Sequence, residues 1–275
     1  AAKQRPAFNP LISHVASADA AFTLGQKTPI AAALANAFWP GPLTLILQRN
    51  DDCPVAMLTT AGLDKIGVRV PAHHGAQTLL QAFGKPIAAP SANPSGRISP
   101  STAKHVLDGL DGRLDLVLDG GSCESGLEST IVDCTGDIAR LLRPGGITRD
   151  ALAAALAAAN CNPQIDIAKP LADHENPVAP GQLDSHYAPK APVRLMAKTS
   201  IAGEELIGFG TVSGAGKLAL NLSPSADLVE AAANLFSVLH AVDAADIAKI
   251  AVAPIPDTGL GEAINDRLRR AAAPR

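Results

Sequence analysis

Short apolar runs, each stopped by proline, glycine or a charged side chain, alternate along this chain with stretches whose apolar positions recur at helical spacing. Ser17 is placed to cap a helix ending near Gly25, and Thr28 with Pro29 opens another that stops before Pro40. LTLILQ from Leu43 and IGVRV from Ile66 read as buried strands. HGAQTLLQAF reads as a helix closed by Gly84, where a left-handed residue is needed. PIAA from Pro86 is a further strand, after which Ser99 is expected to cap a helix with Pro100 at its first position. LDLVLDGG, STIVDCT and IARLLRPG give three more strands, and Thr148 caps an alanine-rich helix running to about Ala159.

The pattern changes after Asn160. Up to Pro192 the chain holds Pro, Asp, Asn and His with little periodicity, a long linker or a functional loop. Beyond it, strands at Val193, LIGFG, KLALNLS and IAKIAVAPIP alternate with helices from about Ser225 and Gly261, a small α/β layer. The expected division is residues 1–165, a linker at 166–192, and residues 193–275.

Composition narrows the function classes. Of 275 residues, 47% are hydrophobic but only 3% aromatic, so the core is built from Ala, Leu, Val and Ile. A net charge of −3 gives no basic surface for holding nucleic acid by charge alone. No apolar run is long enough for a membrane span, and no signal peptide is visible. Cys53, Cys123, Cys134 and Cys161 show neither C-x-x-C nor zinc spacing and read as reduced thiols of a cytoplasmic protein. The chain opens at Ala1 without Met, as if in the middle of something.

The candidate chemistry lies at strand ends. GFGTVSGAGK fails the phosphate-loop spacing, with Thr211 where the first Gly belongs and Leu218 after Lys217, and reads as a turn. Lys3, Arg5, Arg69 and Arg143 each sit beside Pro or Gly that fixes the backbone. Singly each suits a solvated surface; together they suit a rim that receives a ligand with several negative charges. The loop APSANPSGRISPST adds Ser91, Asn93, Ser95 and Ser99 on a proline-stiffened backbone, and GLESTIVD adds Ser129 and Thr130. No nucleophile–base series and no His/Cys metal cluster stands out, so the chemistry is alignment of an anionic substrate.

Six ordered segments, AKQRPAFNPLISHV, FWPGPLTLIL, GVRVPAH, APSANPSGRISPST, ESTIVD and LLRPGGIT, resemble the Sua5/YrdC/YwlC family of threonylcarbamoyladenylate synthases. APGQLDSHYAPKAPV and GLGEAINDRLRRAA resemble the linker and C-terminal domain of its longer members. The resemblance implies an α/β fold, with a twisted YrdC-like sheet domain followed by a small Rossmann-like domain. It implies condensation of L-threonine, bicarbonate and ATP, carried with Mg²⁺, into threonylcarbamoyl-AMP and pyrophosphate. The product would pass to a tRNA-modifying transferase complex for N6-threonylcarbamoyladenosine formation, with no stable nucleic-acid binding expected of this chain. The resemblance further gives Lys3 and Arg5 catalytic charge roles. It puts Ser91, Asn93, Ser129 and Arg143 at the nucleotide, and His14 and Arg69 at threonine, so that Lys3, Arg5, Ser91, Asn93, Ser129 and Arg143 are expected to line one cavity. Residues 179–192, with His186 and Tyr187, are expected to form a lid whose ring tips meet water.

The family's P-T-E-T-x-Y-G-L segment, which precedes the K-x-R-P motif and helps hold threonine, is not in this sequence, so an N-terminally incomplete catalytic domain is expected. Gln4 also stands where Gly is usual. Two other classes fit the same fold: a non-catalytic RNA-binding protein, disfavoured by the acidic charge balance, and a carbamoyl-transfer module, whose zinc-finger cysteines are missing.

Overall fold

The structure, a computed structural model, describes residues 2–168, 177–182 and 186–274. In chain order the elements are β1 (Ile12–His14), α1 (Ala18–Phe22), α2 (Pro29–Phe38), β2 (Leu43–Gln48), β3 (Lys65–Arg69), α3 (His74–Phe83), β4 (Ile87–Ala88), α4 (Ala103–Leu110), β5 (Thr130–Asp133), β6 (Ala139–Arg143), α5 (Arg149–Ala158), β7 (Ile165–Ile167), β8 (Val193–Arg194), β9 (Glu205–Ile207), α6 (Leu228–Ala244), β10 (Ile250–Val252) and α7 (Leu260–Ala272). They form two compact units. One comprises Pro6–Pro90 and Glu128–Leu183; the other comprises Ala1–Arg5, Ser91–Leu127 and Asp184–Arg275. By packing, therefore, residues 91–127 go with the C-terminal residues, although they precede the linker in sequence.

The first of these units is a seven-stranded sheet ordered β4-β1-β3-β2-β5-β6-β7. Antiparallel and parallel neighbours alternate across it. Its helices begin where the side chains can cap them. Ser17, Thr28 and Thr148 accept from the amides of Ala20, Ala31 and Ala151. Gly84 closes α3 at φ 67°, in the left-handed region. Central strand β2 explains the two-layered core. Leu43, Leu45 and Leu47 face Leu34, Leu152 and Leu156 of α2 and α5, while Ile46 joins Ile12, Ile131, Leu142 and Ala179 on the opposite face. Helices rich in alanine approach the sheet closely, so a core with few aromatics still fills.

The other unit carries a three-stranded parallel sheet, β8-β10-β9, with α6 and α7. Asp227 caps α6 by accepting from the amides of Val229 and Glu230. Phe209, Phe236, Leu239, Val252 and Leu268 form its core, joined by Ile98 and Leu127.

Four expectations differ from the structure. The helix expected to start at Ser99 starts after Thr102, whose hydroxyl accepts from the amide of His105. Ile98 is anchored in the core and the Ser99 carbonyl lies 3.0 Å from His240 Nε2, so the chain stays extended until Thr102. LDLVLDGG forms no strand. Leu116 and Leu118 are 76% and 71% exposed, and Asp119 accepts from the amide of Gly121 in a local turn. KLALNLS makes only isolated bridges, such as Gly208 with Asn221. Strand β7, in the stretch with little periodicity, pairs parallel to β6 with Ala139 opposite Ile165. The GFGTVSGAGK turn closes by reciprocal bonds between Phe209 and Val212. Of the expected linker, residues 169–176 and 183–185 lie outside the described residues.

Candidate active site

Alternating strand direction brings the C-terminal ends of β1, β3 and β6 and the N-terminal ends of β2 and β5 to one rim of the seven-stranded sheet. Register fixes who meets there: His14 opposite Arg69, Leu43 opposite Thr130, and Ile131 opposite Arg143. Arg143 is buried and holds the chain entering β5. Its Nε and Nη2 donate to the Ser129 carbonyl at 3.1 and 2.8 Å, and Nη2 also donates to Ser129 Oγ at 3.0 Å. Its Nη1 reaches the Pro180 carbonyl at 3.4 Å. Arg69 Nε donates to the Gly41 carbonyl at 3.0 Å. Burial, then the Arg143 charge, pulls the Arg69 guanidinium down to about 10. Two enclosed guanidiniums close enough to repel one another make a place that an anion stabilises.

His14 is neutral at this rim. Burial first, and the Arg69 charge second, hold its imidazole down to about 4. Its Nδ1 is enclosed without a hydrogen-bond partner, so a ligand group that bonds it satisfies a buried polar atom. The RPGG turn after β6 is shaped to the same end. A Cβ on Gly145 would lie 2.4 Å from both the Glu128 carbonyl oxygen and the Thr130 amide nitrogen. Only glycine lets this turn lie against the backbone that presents Ser129. The Thr130 hydroxyl ties the two segments, donating to the Ile147 carbonyl at 2.7 Å and accepting from the Ile147 amide at 2.9 Å.

The remaining site residues gather in the other unit. Lys3 Nζ donates to the carbonyls of Ser91 and Asn93, and the Lys3 carbonyl accepts from the Ser95 amide at 2.9 Å. Asn93 Nδ2 donates to the carbonyls of Pro94 and Arg97 at 3.0 and 2.9 Å, while its Oδ1 is buried without a partner. The proline loop is thus pinned from both sides, which pre-positions Ser91. Burial and the neighbouring Arg5 charge pull the Lys3 ammonium down to about 8, and burial lowers Arg5. The six residues expected to line one cavity divide between the units: Ser129 and Arg143 belong to one, and Lys3, Arg5, Ser91 and Asn93 to the other.

The expected lid also divides by unit. Ala179 is fully buried on the Ile46 face of the sheet, and Gln182 Oε1 accepts from the amides of Val178 and Ala179 at 2.8 and 2.9 Å. Tyr187 differs from expectation. Rather than meeting water it is 1% exposed, with Phe236 at 5.6 Å and the Arg267 guanidinium 5.2 Å from its ring. Its large ring fills a core poor in aromatics. His186 stands edge-on to it at 4.1 Å.

Thr44 escaped sequence reasoning although it is fully buried 2.7 Å from Ser129 Oγ. A lone hydroxyl inside LTLILQ was the available signal. Among the described residues no group of three His, Cys, Asp or Glu side chains could hold a metal, and none of the four cysteines is in a disulfide.

Two family profiles match this sequence. The Sua5/YciO/YrdC profile, described as "Telomere recombination", covers residues 1–145, and "Threonylcarbamoyl-AMP synthase, C-terminal domain" covers residues 147–273. The chain belongs to the Sua5/YciO/YrdC family. Among members of that family, the threonylcarbamoyl-AMP synthase of Bacillus subtilis is 38% identical over all of this chain and 82% of its own length. That of Pyrococcus abyssi is 36% identical over all of this chain and 83% of its own length. The crystal structure of Pyrococcus abyssi Sua5 complexed with L-threonine superposes with a TM-score of 0.86 at 35% identity, covering 98% of this chain and 82% of that one.

Proposed function

We propose that this chain is a threonylcarbamoyl-AMP synthase, joining L-threonine, bicarbonate and ATP and releasing pyrophosphate. The observation that carries the reading is the rim itself: two enclosed guanidiniums, Arg69 and Arg143, beside a neutral imidazole, in a family whose relatives bear that name. The threonine amine attacks bicarbonate, water is lost, and a carbamate forms. A carbamate oxygen then attacks the α-phosphate of ATP, and pyrophosphate leaves. Both partners are anions, so their approach costs electrostatic work that cations must offset. Lys3 and Arg5 carry that charge, and Ser91, Asn93, Ser129 and Arg143 hold the nucleotide. Arg69 and neutral His14 receive threonine, whose carboxylate suits the guanidinium and whose amine or hydroxyl suits an imidazole nitrogen. Mg²⁺ would arrive on the ATP phosphates rather than in a protein-built site.

Of the lid expected at 179–192, the part at 179–182, whose Ala179 packs on the sheet face and whose Pro180 carbonyl meets Arg143, would keep water from the carbamate and adenylate. As modules of sequence, 1–165, 166–192 and 193–275 would be catalytic domain, linker and C-terminal domain. The product would serve a tRNA-modifying transferase, and the chain would work in the cytoplasm; among the described residues no helix is long and apolar enough to cross a membrane.

Pyrophosphate release is measured with each of L-threonine, bicarbonate and ATP omitted in turn. The reading requires all three; release without threonine sinks it. Arg5→Ala should cut kcat/KM by roughly ten- to a hundredfold, the size of a lost charge-assisted bond.

A further inference from the structure

Thr44 is the second residue of β2 and the one hydroxyl in a strand otherwise made of Leu, Ile and Gln. It is fully enclosed, and its Oγ1 lies 2.7 Å from Ser129 Oγ. Ser129 Oγ also accepts from Arg143 Nη2 at 3.0 Å. Among the described residues neither hydroxyl has another side-chain or backbone partner.

Counting protons decides the direction. The pair owns two O–H protons and uses one of them between its oxygens. Were Ser129 the donor, the spare proton would be that of Thr44, sealed inside the sheet with no acceptor, a costly state. With Thr44 as donor, both lone pairs of Ser129 Oγ are taken, one by Thr44 and one by Arg143. Its own proton is then free and, by tetrahedral geometry, turned away from both donors.

We propose that Thr44 is a positioning residue that fixes the Ser129 hydroxyl as a hydrogen-bond donor to an anionic substrate oxygen at the rim shared by Arg69 and Arg143. Carboxylate and phosphate oxygens are equally good acceptors for such a donor, so L-threonine and ATP are the two sources to separate. The proposal rests on the synthase reading for its substrates.

The test compares Thr44→Val, which keeps the shape and removes the hydroxyl, with Thr44→Ser, Ser129→Ala and the Thr44→Val/Ser129→Ala double variant. KM for each substrate and kcat are read from pyrophosphate release. Thr44→Val should raise KM roughly tenfold for one substrate, the same one affected by Ser129→Ala, with kcat nearly unchanged. A shift for L-threonine identifies a carboxylate oxygen, and a shift for ATP a phosphate oxygen. Thr44→Ser should restore the original KM within about twofold, and Thr44→Val should add nothing to Ser129→Ala. Unchanged kinetics in Thr44→Val, or effects that multiply in the double variant, overturn the proposal. A neutron structure of the unaltered protein decides independently of activity and of whether any variant folds. Deuterium donated by Thr44 toward Ser129 supports the assignment, and deuterium donated by Ser129 toward Thr44 defeats it. If the unaltered chain releases no pyrophosphate, the synthase reading fails alone and the neutron map still settles the hydroxyl.

Discussion

His14 should set an acid limit on stability. Its folded pKa of about 4 lies below the ordinary 6.5, so between those values the unfolded chain binds more protons than the folded one. Stability is therefore complete above pH 6.5 and is lost as pH falls toward 4, by up to about 3 kcal/mol from this group. Urea midpoints measured across that range should fall with pH, and fall less in His14→Gln; parallel curves for the two proteins would refute the role. Lys3 acts at the other limit. With its ammonium at about 8, activity that needs the cation should decline as pH rises through 8. Stability moves the opposite way there. The folded pKa lies below 10.5, so the unfolded chain again binds more protons, and the Lys3 contribution to stability rises from pH 8 to 10.5. Deprotonation of Lys3 in that window should therefore lower activity without itself destabilising the fold. Lys3→Arg, which stays charged, should carry the alkaline limb upward, and an unmoved limb would exclude Lys3 as its cause.

The β5–β6 pair and its RPGG turn are where sequence and site meet most directly. Gly145→Ala must push apart backbone atoms rather than a flexible side chain, so it should cost more than about 2 kcal/mol in denaturant unfolding and lower pyrophosphate release as well. Stability equal to that of the parent would show that the turn can shift freely. STIVDCT and IARLLRPG were legible because their apolar runs are long and end in strong breakers. LDLVLDGG alternates just as well but meets no sheet edge, and alternation alone cannot report whether a partner strand exists. Strand β7 is only three residues with Asp166 in the middle, too short to stand out by period. The Ser99 cap was misplaced because Ser-Pro is a sound start signal locally, while the anchoring of Ile98 and Ser99 is a long-range fact. Arg69, Arg143 and His14 were legible as strand-end residues. The hydroxyl pair of Thr44 and Ser129 was not, because only the parallel pairing of β2 and β5 brings the two together.

At the scale of the whole chain, the proposed cover is the feature most open to test. Val178 and Ala179 lie against apolar residues of the sheet face, and Pro180 lies against Arg143. Proteolysis within 179–192 should slow when ATP and L-threonine are added together; equal cleavage with and without them would leave a spacer. The order of the strands in the seven-stranded sheet has a further meaning for how the molecule is made. The chain leaves the ribosome from its N-terminal end, yet β2 sits in the middle of the sheet and waits for β5, from which β3, α3, β4 and α4 separate it. Until β5 has emerged the apolar flank of β2 has no neighbour, and until β6 has also emerged Arg143 is not available to hold Ser129. Closing so long a loop is slow, and the open strand is a ready template for pairing with other chains. A growing chain that pauses between Leu47 and Ile131 therefore has an exposed edge and no rim, and production of this protein should depend on elongation rate and on chaperones across that interval.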